Sequence, residues 1–361
     1  MIRWGSVIFI VLANACDYMP GKVPLTDLDL LFNLPVAAVP ISISGDPVFQ
    51  DEPLFDAIEG KLGHHAATII AFPDGELLAA WYSYDGPGEL DGSAIYMARK
   101  ASDQSAWDAP FLHIDRPNGD GNPVLFSEDH SVWLFQAVVP YGWSTAQIEF
   151  QRSEDRGHSW SPPVTVEGPL GSNTRYPPLR LRDGRLLLPA YDDLFQRSLF
   201  FSSEDGNDWR LESMIETAWD ARAIQPSVVE LQDGRLLTVM RNTGGERLWV
   251  AASDDEGKRW SSARDSGFPN PASAAAITRL ASGNLILVFN DSPTERRPLS
   301  VAMSLDEGQT WPLRRILADG EETYSYPSVI QGPDGRVHIV YSLSRRRIQH
   351  AIINEAWIAG L

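Results

Sequence analysis

The chain has 361 residues, a formal net charge of -18 and one cysteine. So acidic a surface repels phosphate backbones and argues against a general nucleic-acid binder, and a lone thiol excludes an intramolecular disulfide. With 28 Gly, 26 Pro and no long 3.6-residue periodicity, the composition is that of a turn-rich all-β chain.

The N-terminal stretch MIRWGSVIFIVLANAC places Arg3 before an apolar run from Val7 to Leu12 and small residues up to Cys16. This is the layout of an export signal. With Ala13 and Ala15 ahead of the cysteine it resembles a bacterial lipoprotein signal. The resemblance implies loss of residues 1–15, lipidation at Cys16 and a periplasmic or cell-surface protein whose membrane contact is that lipid. No later segment approaches the ~20 apolar residues of a membrane span. Residues 16–40, with an acidic Leu-rich patch and no repeat, read as a tether.

From residue 41 to 361 the chain reads as one unit built from repeats. A turn of the form Ser-x-Asp-x-Gly-x-x-Trp recurs as SEDRGHSW (Ser153 to Trp160), SSEDGNDW (Ser202 to Trp209), SDDEGKRW (Ser253 to Trp260) and SLDEGQTW (Ser304 to Trp311), with a decayed copy ending at Trp107. A second turn repeats in step at Asp74, Asp183, Asp233, Gly283 and Asp334, with a degenerate member near His130. Between the turns stand short Val-, Leu- and Ile-rich segments, as in antiparallel meanders joined by positive-φ turns. Six copies at a spacing of roughly 50 residues predict a six-bladed β-propeller with four strands per blade. The last blade has room for only three strands before Leu361. The extended segment Ile41 to Phe55 is therefore expected to supply its fourth and close the ring.

In such a ring the first strand of each blade lies innermost, and the loops at one end converge on the axis. Counting back eight residues from each first-turn Asp or its equivalent gives Ala66 (beside His64 and His65), Asn122, Arg175 (followed by Tyr176), Gln225, Ala274 and Tyr326. These are the positions at which chemistry is expected.

On the phased Asp-containing turns, the sequence resembles the sialidase superfamily, six-bladed propellers that bear this turn as the Asp box, and in particular its branch with BNR repeats. The resemblance covers roughly Ile41 to the C-terminus. The box itself implies architecture only: Asp accepts backbone N–H bonds, Gly takes a left-handed angle and Trp packs between blades. Sialidases use three arginines on the sugar carboxylate, a Tyr nucleophile with a Glu partner, and an Asp acid/base. The resemblance implies Tyr326 as nucleophile, with Tyr324 as a nearby competitor, and Arg241 as an arginine of the carboxylate site. Where it implies the Glu, this chain has Gln225, which holds a hydrogen bond but takes no proton at neutral pH. Another arginine is implied at Arg296 or Arg297. The usual first arginine is replaced by His64 and His65, with Arg175 placed to stand in for it. The acid falls in the loop YDGPGELDGS, where Asp91 and Glu89 rank above Asp85.

These residues point to a sialidase-like exo-glycoside hydrolase that releases a terminal acidic sugar from a glycan. In that reading Tyr326, Asp91 or Glu89, His65 and Gln225 serve the chemistry, and Arg241, Arg175, Arg296, Arg297, Asn122, His64 and Tyr176 line the sugar site. Spacings for a metal or phosphate loop are lacking, so no cofactor is expected. The rivals are a glycan-binding ring without turnover and a protein-interaction scaffold.

Overall fold

Each apolar segment pairs with the next across a tight turn, and the resulting sheets form six antiparallel blades in ring order. The computed structural model describes residues 43, 45–215 and 222–361. The expected export signal, Cys16 and the tether lie outside the described residues. Inner strands are buried on both faces, so Leu77–Tyr84 is buried along its whole length, whereas the outermost strand of the same blade, Phe111–Asp115, is largely exposed. That is why the inner strands read as continuous apolar runs rather than as alternating ones. The N-terminal strand Phe49–Pro53 pairs with Arg347–Ile353 as the fourth strand of blade six, as expected, and closes the ring.

The Asp boxes hold blade to blade. In the box of blade two, Asp155 Oδ1 accepts the backbone N–H groups of His158 and Ser159 at 3.1 and 2.8 Å, and Ser153 Oγ accepts that of Gly157 at 2.7 Å. The Trp that ends each box packs on the preceding blade. Trp209 meets Phe135 edge-on at 5.2 Å, Trp260 stacks on Phe200 at 4.2 Å, and Trp311 meets Phe268 at 5.5 Å. The box of blade three is one residue shorter than its sequence alignment suggests. It starts at Ser203, whose Oγ accepts Gly206 N–H at 2.9 Å.

The box glycines serve both angle and space. Gly206 has φ 76°, and a Cβ there would lie 2.9 Å from the ring of Trp133 in blade two. Gly184, with φ 90°, has nothing within 4 Å. Replacing Gly184 by Ala should cost about 1–2 kcal/mol for the left-handed angle alone. Gly206→Ala should cost about 1–3 kcal/mol more, because Trp133 must also move. Urea unfolding of the two variants side by side measures the difference, and equal losses would refute the interblade role of the glycine.

Ring closure also buries two histidines. His338 Nδ1 lies 3.0 Å from His350 Nε2, and Trp107 Nε1 of blade one donates to His350 Nδ1 at 3.3 Å. His350 therefore donates from Nε2 to His338, and both rings fit the neutral form. Burial lowers His338 from 6.5 to about 4, and lowers His350 well below its ordinary value. A folded-state value below the unfolded one means that the unfolded chain binds protons first, so stability held above pH 6.5 drains as pH falls toward 4. The urea midpoint should drop across that window, with a shallower slope in His338→Gln.

Candidate functional site

The axial ends of the first strands share a device. Ala66, Asn122, Gln225 and Tyr326 all have positive φ, at 54°, 44°, 55° and 57°. At each of them the pairing with the second strand slips. These are β-bulges whose left-handed residue re-aims its side chain into the ring axis. Blade three reaches the same end differently, breaking its first strand between Ser172–Thr174 and Leu179–Arg180, with Arg175 in the gap. In blade five the left-handed residue is Ala272 rather than Ala274.

Tyr326 sits at the centre, half-buried. Its Oη accepts a hydrogen bond from Arg241 Nη1 at 2.9 Å and one from Gln225 Nε2 at 3.2 Å. Gln225 and Arg241 come from paired strands of blade four, in which Ile224 faces Arg241 across the turn at Asp233. Arg241 Nη1 also lies 3.4 Å from Gln225 Oε1, which orients the amide with its NH2 toward Tyr326 and toward Tyr191 Oη at 3.5 Å. Burial pushes the Tyr326 phenol up, but Arg241, Arg296 and the Gln225 amide outweigh it and bring it below its ordinary value.

More cations crowd the same ring. Arg175, only 1% exposed, donates through Nη2 to the carbonyls of Ala67, Tyr326 and Pro327 at 3.1, 2.6 and 3.3 Å, while its Nε and Nη1 have no partner among the described residues. The guanidinium carbons of Arg175 and Arg296 stand 5.5 and 5.8 Å from the Tyr326 ring centre. Arg297 instead turns outward, to Glu295 at 2.8 Å and the carbonyl of Gly320 at 3.1 Å. Tyr176 is buried under Arg175, in the core between blades five and six. Tyr324 packs in that core and donates to the carbonyl of Asp319 at 2.8 Å.

The histidines divide. The ring of His65 lies 4.2 Å from that of Tyr326; its Nδ1 bonds Ser342 Oγ at 2.8 Å, and its buried Nε2 has no partner among the described residues. Burial first, then Arg345, Arg175, Arg296 and Arg241, hold it well below its ordinary value and so neutral. His64 bonds Ser83 Oγ at 2.8 Å and packs edge-on against Phe55 at 4.8 Å. Burial, then Lys61, lower it to about 4. Asn122 Nδ2 donates to Asn173 Oδ1 and Tyr191 Oη, both at 3.1 Å.

In the loop of blade one, Glu89 Oε2 accepts the Tyr82 hydroxyl at 2.9 Å, and Oε1 pairs with Arg345. Asp91 is exposed and folds the loop that carries Glu89: its Oδ2 accepts Gly88 N–H at 2.8 Å, and a Cβ on Gly86 would meet it at 2.5 Å. Asp85 is exposed and pairs with Lys61 at 3.3 Å.

Tyr82, Tyr191, Ser342 and Arg345 escaped the sequence reading. For three of them a signal existed. Residues eight after the turn Asp at 74, 183, 233 and 334 are Tyr82, Tyr191, Arg241 and Ser342, and each pairs beside the axial end of its first strand. Arg345 stands in a hairpin turn of blade six with φ 55°, inside the run Arg345, Arg346, Arg347. Nothing in that run distinguishes it from a solvated turn.

Comparison with known proteins agrees with this architecture. A family model described as a BNR repeat-like domain matches residues 75–339. A sialidase of Micromonospora viridifaciens is 25% identical over 386 aligned positions, covering 90% of this chain and 57% of that protein. A sialidase of Bacteroides fragilis (strain YCH46) is 26% identical over 267, covering 63% and 48%. The chain thus spans about half the length of the curated relatives it matches. Among solved structures, Hadza microbial sialidase Hz136 superposes with a TM-score of 0.72 at 19% identity, covering 83% of this chain and 67% of that one. A leech intramolecular trans-sialidase complexed with 2,7-anhydro-Neu5Ac does so with 0.72 at 15%, covering 86% and 71%. With the family model matched over most of its length and six blades in ring order, the chain belongs to the BNR repeat-like domain family.

Proposed function

We propose that the protein is a sialidase-like exo-glycoside hydrolase that removes a terminal acidic sugar from a glycan, with Tyr326 as nucleophile and Glu89 as acid. The observation that supports this most is the Tyr326 hydroxyl held by Arg241 among cations, with Glu89 facing the same axis through Tyr82 and Arg345. Arg296, Arg345 and the unpartnered edge of Arg241 offer charge-assisted bonds to a sugar carboxylate. The named sialidases among the relatives support an acidic sugar of that kind.

In the first step Tyr326, its phenol proton given up to solvent water, forms the Oη–carbon bond at the anomeric centre as the glycosidic C–O bond breaks, and the departing oxygen takes the proton of the Glu89 carboxyl group. Water then attacks the same carbon, gives a proton to Glu89, and Tyr326 leaves as phenolate. Two displacements retain the anomeric configuration. Gln225 favours a second reading, a glycan-binding ring without turnover, since an amide cannot take the phenol proton.

Against a panel of acidic oligosaccharides, Tyr326→Phe should lower kcat/KM by on the order of 10³-fold or more. Glu89→Gln should lower it by about 10²–10⁴-fold on sugar leaving groups, and much less on a nitrophenyl glycoside whose leaving group needs no proton. Saturable binding of the same oligosaccharides with no release of free sugar by the wild-type protein would decide for the second reading.

A further inference from the structure

Resting on the assignment of Tyr326 as nucleophile, we infer that Arg241 and Gln225 replace the missing carboxylate base by holding Tyr326 as a phenolate before substrate arrives. The geometry at the oxygen is the first reason. Both hydrogen bonds to Tyr326 Oη are donated to it, by Arg241 Nη1 and Gln225 Nε2. A guanidinium has only donors, so Arg241 cannot take the hydroxyl proton. Nor can the amide be turned round to do so, because its NH2 would then face the Arg241 guanidinium at the 3.4 Å where Oε1 now accepts. Among the described residues Tyr326 Oη donates to nothing. Two donors and no acceptor suit a phenolate, which only accepts.

The charges around it are the second reason. Arg175, Arg241 and Arg296 form no ion pair among the described residues, and Arg345 is taken up by Glu89. Three cations converging on one ring need a counter-charge. Arg175 and Arg296 flank the ring itself, into which a phenolate spreads its charge. Of the other groups facing this space, Tyr82, Tyr176 and Tyr191 are pushed up by burial and stay protonated, and His65 stays neutral. Two carboxylates oppose the ionisation or stand aside from it. Glu89 acts against it, engaged by Tyr82 and Arg345, while half-buried Asp193 is bonded by Gln196 Nε2 at 3.3 Å and attracts Arg241 without acting on the phenol. Among the described residues, Tyr326 is thus the phenol at the axis whose ionisation supplies the counter-charge. A neutral amide at position 225 helps rather than hinders, since a carboxylate charge there would repel the phenolate.

Tyrosinate ultraviolet absorbance, titrated against pH without substrate, tests this. Wild type minus Tyr326→Phe should reveal one tyrosine already ionised at neutral pH, below the ordinary value of 10.0. Arg241→Gln should move that step up by about one pH unit or more, and Gln225→Glu should also move it up. If a substitution impairs folding, the ring-carbon NMR signals of isotopically labelled tyrosines in the wild-type protein count the early step directly. A Tyr326 still protonated at neutral pH, or a step unmoved in Arg241→Gln, would overturn the inference. Because no substrate is present, an early Tyr326 step in a protein that releases no sugar supports the phenolate while refuting the hydrolase. Sugar release with a late step does the reverse.

Discussion

The site depends on a single backbone constraint, a left-handed residue set into an otherwise extended inner strand. An unbroken strand would turn alternate side chains into the interblade cores, leaving the axis to backbone and small groups. The bulge at Gln225 and at Tyr326 spends about 1–3 kcal/mol of conformational strain on each non-glycine residue, and brings two side chains 101 residues apart within hydrogen-bond distance. The strain is tolerable because both flanks of the strand are held by buried pairing with the second strand. A local cost is thereby offset by the packing of a whole blade.

That packing is provided at the opposite end of the ring. Asp-box Gly and Trp residues fasten each blade to the one before it, so the frame is stabilised far from the axis, through contacts that do not involve Tyr326 or its neighbours. The separation explains how solved structures under 20% identical to this chain share its shape. It also explains why the box is informative about architecture and silent about chemistry. The axis can therefore carry residues such as the amide of Gln225 without disturbing the frame.

The electrostatic character of the site runs against that of the molecule. A chain of net charge -18 collects four arginines around one phenol and one close carboxylate. Burial magnifies the imbalance, because Arg175 is almost wholly removed from water and its hydrogen-bond partners among the described residues are carbonyl groups. Such a pocket favours an anion, whether brought by substrate or made in place at Tyr326. The neutral tyrosines and histidine around it supply hydrogen bonds without adding charge.

Much of this was legible in the sequence wherever the deciding geometry is local. Hairpins repeat in register, so a count of eight from the turn at Asp233 leads to both Gln225 and Arg241, and the same count reaches Tyr326 from Asp334. The six blades, and the use of an N-terminal strand to close the ring, follow from repeat phase and from the short last copy. What the tertiary structure alone decided concerns groups that meet across the ring or within irregular loops. Arg345 reaches Glu89 from another blade; Arg296 faces inward and Arg297 outward although they are neighbours in sequence; and Asp91 folds a loop that presents Glu89. The physical reason is that strand register is set by hydrogen bonds between adjacent residues in a hairpin. The direction of a loop side chain is set instead by contacts with elements far away in the chain, for which the sequence has no period.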